Sequence, residues 1–179
     1  MRRLIESTLL ALDGVIGEPR AWASEYFDSE AQEKALEQLM ASDAMLMGRH
    51  TYEIFFQTWP NISGPYSDRM NGIRKYVFSS TLQDADWNNS TIVRGDVAAE
   101  VAKLKHQDGQ DLVMYGHGPL GETLLEHDLL DELQFAIHPL LVGSGALLFR
   151  EGQKQTLKLI GTKTLQTGVV ILTYQPATT

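Results

Sequence analysis

A glycine that ends a short apolar run and opens a helix-forming segment constrains this chain most. Residues 44–47, Ala-Met-Leu-Met, read as a buried strand, and residues 50–59 read as a helix, with Gly48-Arg49-His50-Thr51-Tyr52-Glu53 between them. A strand–glycine–helix junction presents unpaired backbone N–H groups and the positive end of a helix dipole, which suits an anion. Arg49 adds a guanidinium whose fork matches a phosphate. A second junction lies downstream. Residues 111–115 read as a strand, followed by Gly116-His117-Gly118-Pro119-Leu120-Gly121 and a helix over 119–127 with Pro119 at its first position. Two such junctions predict a ligand with two well-separated phosphate groups, such as a dinucleotide, gripped at opposite flanks of a sheet.

The remaining periodicity gives an α/β chain. Residues 4–12, 75–78, 91–93 and 131–138 read as strands. The segments over 30–41 and 98–106 read as helices, the first opened by a capping box, Ser29 with Gln32. Residues 61–66, rich in Asn, Ser, Gly and Pro, read as a loop. Two closing strands, 157–165 and 169–174, form an antiparallel hairpin around Thr167-Gly168. Strands that alternate with helices and then run alone predict a mainly parallel sheet with an antiparallel edge. No repeat or linker divides the 179 residues, so one domain over 1–179 is expected.

Composition removes several function classes. There is no cysteine, which excludes disulfides, thiolate nucleophiles and cysteine-based zinc sites. The five histidines show no paired spacing on one helix face, so no metal is expected. A net charge of −8 disfavours nonspecific nucleic-acid binding. Apolar residues, 43% of the chain, are too interrupted for a membrane span. Met1-Arg2-Arg3 begins like a secretory signal, but Glu6, Ser7 and Thr8 interrupt the apolar run and Asp13-Gly14 ends it, so a cytoplasmic protein is expected. Gly143-Ser144-Gly145 lacks the glycines two places either side of the serine that a nucleophile elbow requires. Gly116 to Gly121 fits a Rossmann fingerprint literally, but it lies late in the chain with no acidic strand end at the proper distance.

Five segments in order carry a family resemblance: Leu12 to Val15, Gly48 to Glu53, Val77 to Leu82, Gly116 to Leu120, and Pro139 to Gly145. The first two resemble segments of the dihydrofolate reductases. All five are more similar to segments of the reductase domain of bifunctional riboflavin-biosynthesis deaminase-reductases and its stand-alone bacterial relatives. The resemblance implies a dihydrofolate-reductase-like three-layer α/β/α fold, with a mostly parallel central sheet and an antiparallel C-terminal edge hairpin. It also implies NADPH as cofactor. Arg49, His50 and Thr51, after Gly48, would lie near the adenosine phosphates. Ser79, Ser80 and Thr81 would lie by the adenine ribose. Gly116, His117, Gly118, Pro119 and Leu120 would let backbone approach the pyrophosphate, and Ile16 and Gly17 would flank the nicotinamide. The glycine turn at 143–145 would lie near the phosphates or the substrate mouth.

Each of these residues also has a plainer role. Arg49 could form a surface ion pair, and the glycines could simply turn the chain. Asp13 could orient substrate or pass the proton that matches a hydride, or it could be a turn aspartate holding backbone. Trp22, Tyr26 and Phe27 could roof a flat ring or pack the core. The carboxylate that folate reductases carry on their first helix falls on Gln32 here, with Asp28, Glu30 and Glu33 out of register, which argues against folate. Arg69, Arg74 and Lys75 are candidates for a second, substrate-side phosphate site only by proximity in sequence and are read as solvated. The expected function is an NADPH-dependent reductase of a small heterocycle, pyrimidine- or pterin-like, or of a related carbonyl or imine compound. An NADP-binding sensor or scaffold without turnover is the rival, and a homodimer is expected.

Overall fold

Alternation along the strands decides which helices cover which face. In a computed structural model, which describes residues 1–148, 152 and 154–177, the buried run of β2 (Ser42–Gly48) sends Met45 and Met47 to one side and Ala44 and Leu46 to the other. Apolar residues on both faces mark a strand of a parallel sheet covered on both sides. Among the described residues the sheet has eight strands in the order β4-β3-β2-β5-β1-β6-β8-β7. The others are β1 (Leu4–Ala11), β3 (Arg74–Phe78), β4 (Ser90–Val93), β5 (Asp111–Tyr115), β6 (Glu132–His138), β7 (Leu157–Thr164) and β8 (Val170–Pro176). Strands β1 to β6 are parallel, whereas β8 runs antiparallel to both β6 and β7. This is the expected three-layer architecture with its antiparallel C-terminal edge.

The helices divide between the faces by the same rule. On one side, α2 (Ser29–Met40), α3 (Arg49–Thr58) and α4 (Pro65–Gly72) bury Leu39, Tyr52 and Met70 against Met45, Met47, Val77 and Val113. On the other, α5 (Val97–His106) and α6 (Pro119–Glu126) bury Val101, Leu104 and Leu124 against Leu4, Leu46, Leu112 and Leu133. A single turn, α1 (Pro19–Trp22), precedes α2.

Three sequence expectations change. The cap of α2 is Asp28, whose side chain accepts from the Ala31 N–H, and not Ser29. Gln32 instead reaches back to the Phe27 carbonyl. Residues 61–66 are not all loop: a 3₁₀ turn covers Trp59–Asn61, and α4 starts at Pro65 behind Gly64, whose φ of 136° only glycine adopts readily. Lys75 is fully buried rather than solvated. Its ammonium donates to the carbonyls of Asn71, Ile73 and Asn88 at 2.8–3.0 Å and sits 4.2 Å from the centre of the Trp87 ring. Burial pushes its pKa down to about 8. Lys75 is the second residue of β3, at the sheet's amino edge, so it belongs to the frame. Among the described residues no helix is long and apolar enough to cross a membrane.

Candidate functional site

Parallel strands bring the sequence-predicted residues to one edge. The carboxyl ends of β3, β2, β5 and β1 follow one another across the sheet. In that order they carry Ser79 to Thr81, Gly48 to Thr51, Gly116 to Leu120, and Asp13 to Gly17. At roughly 4.8 Å between strands, the row is about 14 Å long. The helices after β2 and β5 leave on opposite faces, so the crevice between these two neighbours is the topological switch point, where open α/β sheets take ligands. The two glycine junctions are therefore adjacent, not on opposite flanks of the sheet. A ligand would enter between them and extend both ways.

Local geometry leaves backbone exposed at both junctions. Helices α2 and α5 start with aspartates whose side chains cap them, Asp28 and Asp96. Helices α3 and α6 start at Gly48 and Gly118 with no side-chain cap. A Cβ placed on Gly48, Gly116 or Gly118 would meet no atom within 4 Å, so neighbouring packing does not demand these glycines. Gly116 and Gly118 have φ of 77° and 135°, which does. The Gly116 N–H is spent on the Ser7 carbonyl, 2.8 Å away, so its part is to shape the turn rather than to donate. Pro119 has no N–H, and Leu120 packs against the core.

Arg49 makes the ion pair of its plainer reading, with Glu53 at 2.6 Å, and also donates to the Thr81 hydroxyl at 2.9 Å. That second bond ties the α3 junction to the turn after β3. His50 beside it is exposed. The Ser79 hydroxyl is turned inward, accepting from the N–H groups of Thr81 and Leu82, so only Ser80 and Thr81 keep the exposed positions. The residue that the sequence reading missed is Arg94, at the end of β4. Its guanidinium donates to the carbonyls of Ser79, Ser80 and Leu82 at 2.6–3.2 Å and holds this turn from below. Its place at a strand end before Gly95 repeats the Gly48-Arg49 theme in reverse order, and that signal was readable.

At the other end of the row, Asp13 is exposed and its carboxylate accepts from the Gly143 N–H at 2.7 Å. The N–H groups of Ile16 and Gly17 both go to the Ala146 carbonyl. The 143–145 turn thus lies against the end of β1, two strands from β2. Trp22 is buried and meets His138 edge-on, with ring centres 5.2 Å apart, and Tyr26 meets the same ring at 5.3 Å. Burial lowers the pKa of His138. Between His138 and Tyr115, β1 presents Ser7 and Leu9 on the α2–α4 face. Leu9 is 41% exposed in the middle of the sheet, whereas Leu10 on the opposite face is 9% exposed. This uncovered strip lies beside the row, and Phe55 and Tyr66 stand near Tyr115 at its margin. Burial pushes the Tyr66 phenol up to about 12 and that of Tyr115 well above its usual value, so both stay neutral. Of the carboxylates near the folate-type position, Asp28 caps α2, Glu30 holds the Gln166 N–H and pairs with Lys163, and Glu33 is exposed to solvent.

Comparison with known proteins agrees with this fold. The sequence profile of the RibD C-terminal domain matches residues 2–171. The chain belongs to the RibD C-terminal domain family. This RibD-type domain is 30% identical to the uncharacterized protein YyaP of Bacillus subtilis over 97% of the chain and 94% of that protein. Its fold is shared by a proposed riboflavin biosynthesis protein of Shewanella sp. PV-4, with a TM-score of 0.78 and 22% identity over 98% of this chain and 99% of that one. A pyrimidine reductase-like protein of Corynebacterium diphtheriae superposes with a TM-score of 0.70 at 11% identity, over 99% and 93% of the two chains. The deaminase/5-amino-6-(5-phosphoribosylamino)uracil reductase of Thermotoga maritima superposes with a TM-score of 0.69 at 14% identity. There the match covers 98% of the RibD-type domain and 57% of the longer chain.

Proposed function

We propose that this chain is a single-domain NADPH-dependent reductase that passes hydride to a small heterocycle, pyrimidine- or pterin-like, or to a related carbonyl or imine compound. The observation that carries the reading is the switch-point crevice: two uncapped, glycine-started helices on neighbouring strands, with Arg49 and Arg94 at one side. These groups fit the cofactor chemically. The first-turn N–H groups of α3 and α6 suit the diphosphate, and Arg49 with Thr81 suits the 2′-phosphate that separates NADP from NAD. Ser80 would lie by the adenine ribose, and Ile16 and Gly17 would flank the nicotinamide. Bound NADPH supplies hydride from its nicotinamide ring. The protein holds the acceptor over the Ser7–Leu9 strip and fixes the approach. Asp13 orients the acceptor or passes the matching proton, while Gly143 holds one of its oxygens.

Family membership and the pyrimidine-reductase-like fold favour a pyrimidine. The prior engagement of Asp28 and Glu30 disfavours folate. The hydrogen bond from Gly143 to Asp13 favours one alternative, an NADP-binding protein without turnover, in which Asp13 only ties down a loop. Loss of absorbance at 340 nm with candidate pyrimidines and pterins tests the two. Substrate-dependent oxidation supports the reductase, and tight NADPH binding with no oxidation by any of them supports the sensor. We further propose a homodimer through the strand-rich C-terminal half, where Leu159 and Ile160 are 49% and 44% exposed. At 20.0 kDa per chain a dimer is 2 × 20.0 = 40 kDa, and elution at the monomer mass removes this claim.

A further inference from the structure

Glu6 stands in the middle of β1 on the α5–α6 face, in a row with Leu4 and Leu10. Its side chain has no solvent exposure, and a carboxylate in such a place is costly unless paired. Thr8 donates its hydroxyl to Oε1 at 3.1 Å. The His117 ring nitrogen Nδ1 lies 2.9 and 3.0 Å from the two carboxylate oxygens, with that side chain 3% exposed. His117 is the residue between Gly116 and Gly118, the two positive-φ glycines of the α6 junction. Two glycines flanking one residue make a soft turn, yet the residue between them is pinned to the central strand by a buried hydrogen bond. Helix α6 makes room for this pair. A Cβ on Gly121 would lie 2.7 Å from both Glu6 Oε2 and His117 Nδ1. Glycine inside a helix costs roughly 1 kcal/mol relative to alanine, and here it spares the pair.

We infer that the buried Glu6–His117 pair, with Gly121 as its clearance, holds the Gly116–Gly118 turn in the shape that receives a diphosphate. Glu6 and His117 are then positioning residues: they touch no ligand and act through the backbone of the turn. The inference rests on the reading of this junction as the diphosphate cradle, and it adds to that reading the specific residues that set the cradle's form.

The test compares two ligands, NADPH and adenosine 2′-monophosphate, which lacks the diphosphate. Glu6→Gln, Gly121→Ala and the double variant Glu6→Leu/His117→Leu are titrated by calorimetry with the first and by NMR shifts with the second. Replacing a buried, mutually satisfied polar pair by apolar residues commonly preserves stability, so the double variant keeps the fold while removing the peg. Each variant is expected to lose about tenfold or more in NADPH affinity and to bind adenosine 2′-monophosphate within about twofold of wild type. Variants that bind NADPH as wild type does overturn the inference, as does an equal loss for both ligands, which would mean a merely structural role. A wild-type protein that binds neither ligand removes the cofactor reading and this inference with it. Wild-type binding with insensitive variants removes the inference alone.

Discussion

Replacing Arg49 with alanine should convert an NADP-preferring site into one nearly indifferent to the 2′-phosphate. A guanidinium has five N–H groups. Glu53 and Thr81 engage two of them, which leaves 5 − 2 = 3 for a ligand. A charge-assisted bond is worth roughly 1.5–3 kcal/mol. The Arg49 side chain is 49% exposed, so solvent screening puts the expected loss toward the lower part of that range, about 2 kcal/mol. That corresponds to roughly a 30-fold rise in the Kd for NADPH. NADH has no 2′-phosphate, and its Kd should change by less than about threefold. The structural cost should be small, because an i,i+4 ion pair on an exposed helix contributes about 0.3–0.5 kcal/mol. The assay is paired calorimetric titration of wild type and variant with NADPH and NADH at one fixed ionic strength, with thermal melting as control. Equal weakening for both cofactors, or no weakening for either, would refute the argument that Arg49 reads the 2′-phosphate.

Asp13→Asn keeps an oxygen for the Gly143 N–H and removes the acid, so it should cut turnover by about 10²-fold or more while leaving NADPH affinity within about twofold of wild type, as steady-state kinetics beside calorimetry would show. Lys75→Met strips three carbonyls of their donor and should destabilise the fold by about 3 kcal/mol in urea melts, with no effect on the carboxyl-edge site if the lysine belongs to the frame. His138 sets a pH dependence. Burial holds its folded-state pKa below 6.5, so below that pH the unfolded chain binds the proton first and stability falls as the solution is acidified. His138→Gln should flatten that part of the stability–pH curve, and an unchanged slope would assign the acid sensitivity to other groups.

How much of this was legible depended on whether the signal was local. The buried run of β2, the glycines at 48, 116 and 118, and the closing hairpin are local, and the structure places them as read. Pro119 opens α6 as its fixed φ predicts. Strand order is not local. Nothing in the spacing of Gly48 and Gly116 says that β5 returns to lie beside β2, and so two adjacent junctions read as opposite flanks. Short polar helices were equally hidden: α4 buries only Ser67 and Met70 and has no apolar stripe to detect. Buried charge is the third blind spot. Lys75 and Glu6 look like surface residues until Asn71, Ile73 and Asn88 are seen to satisfy the first and His117, 111 residues away, the second. The residues expected at the site lie together because a parallel sheet must bring its strand ends to one edge, whereas Glu6, in mid-strand, carries no strand-end signal of that kind.

The most direct measurement is a crystal structure of the protein soaked with NADPH. The account predicts the diphosphate in the crevice between α3 and α6, the 2′-phosphate on Arg49, and the nicotinamide beside Ile16 and Gly17 over the Ser7–Leu9 strip. A cofactor lodged at the opposite edge of the sheet, among Arg69, Arg74 and Asn89, would contradict it, as would crystals that take up no cofactor at millimolar concentration.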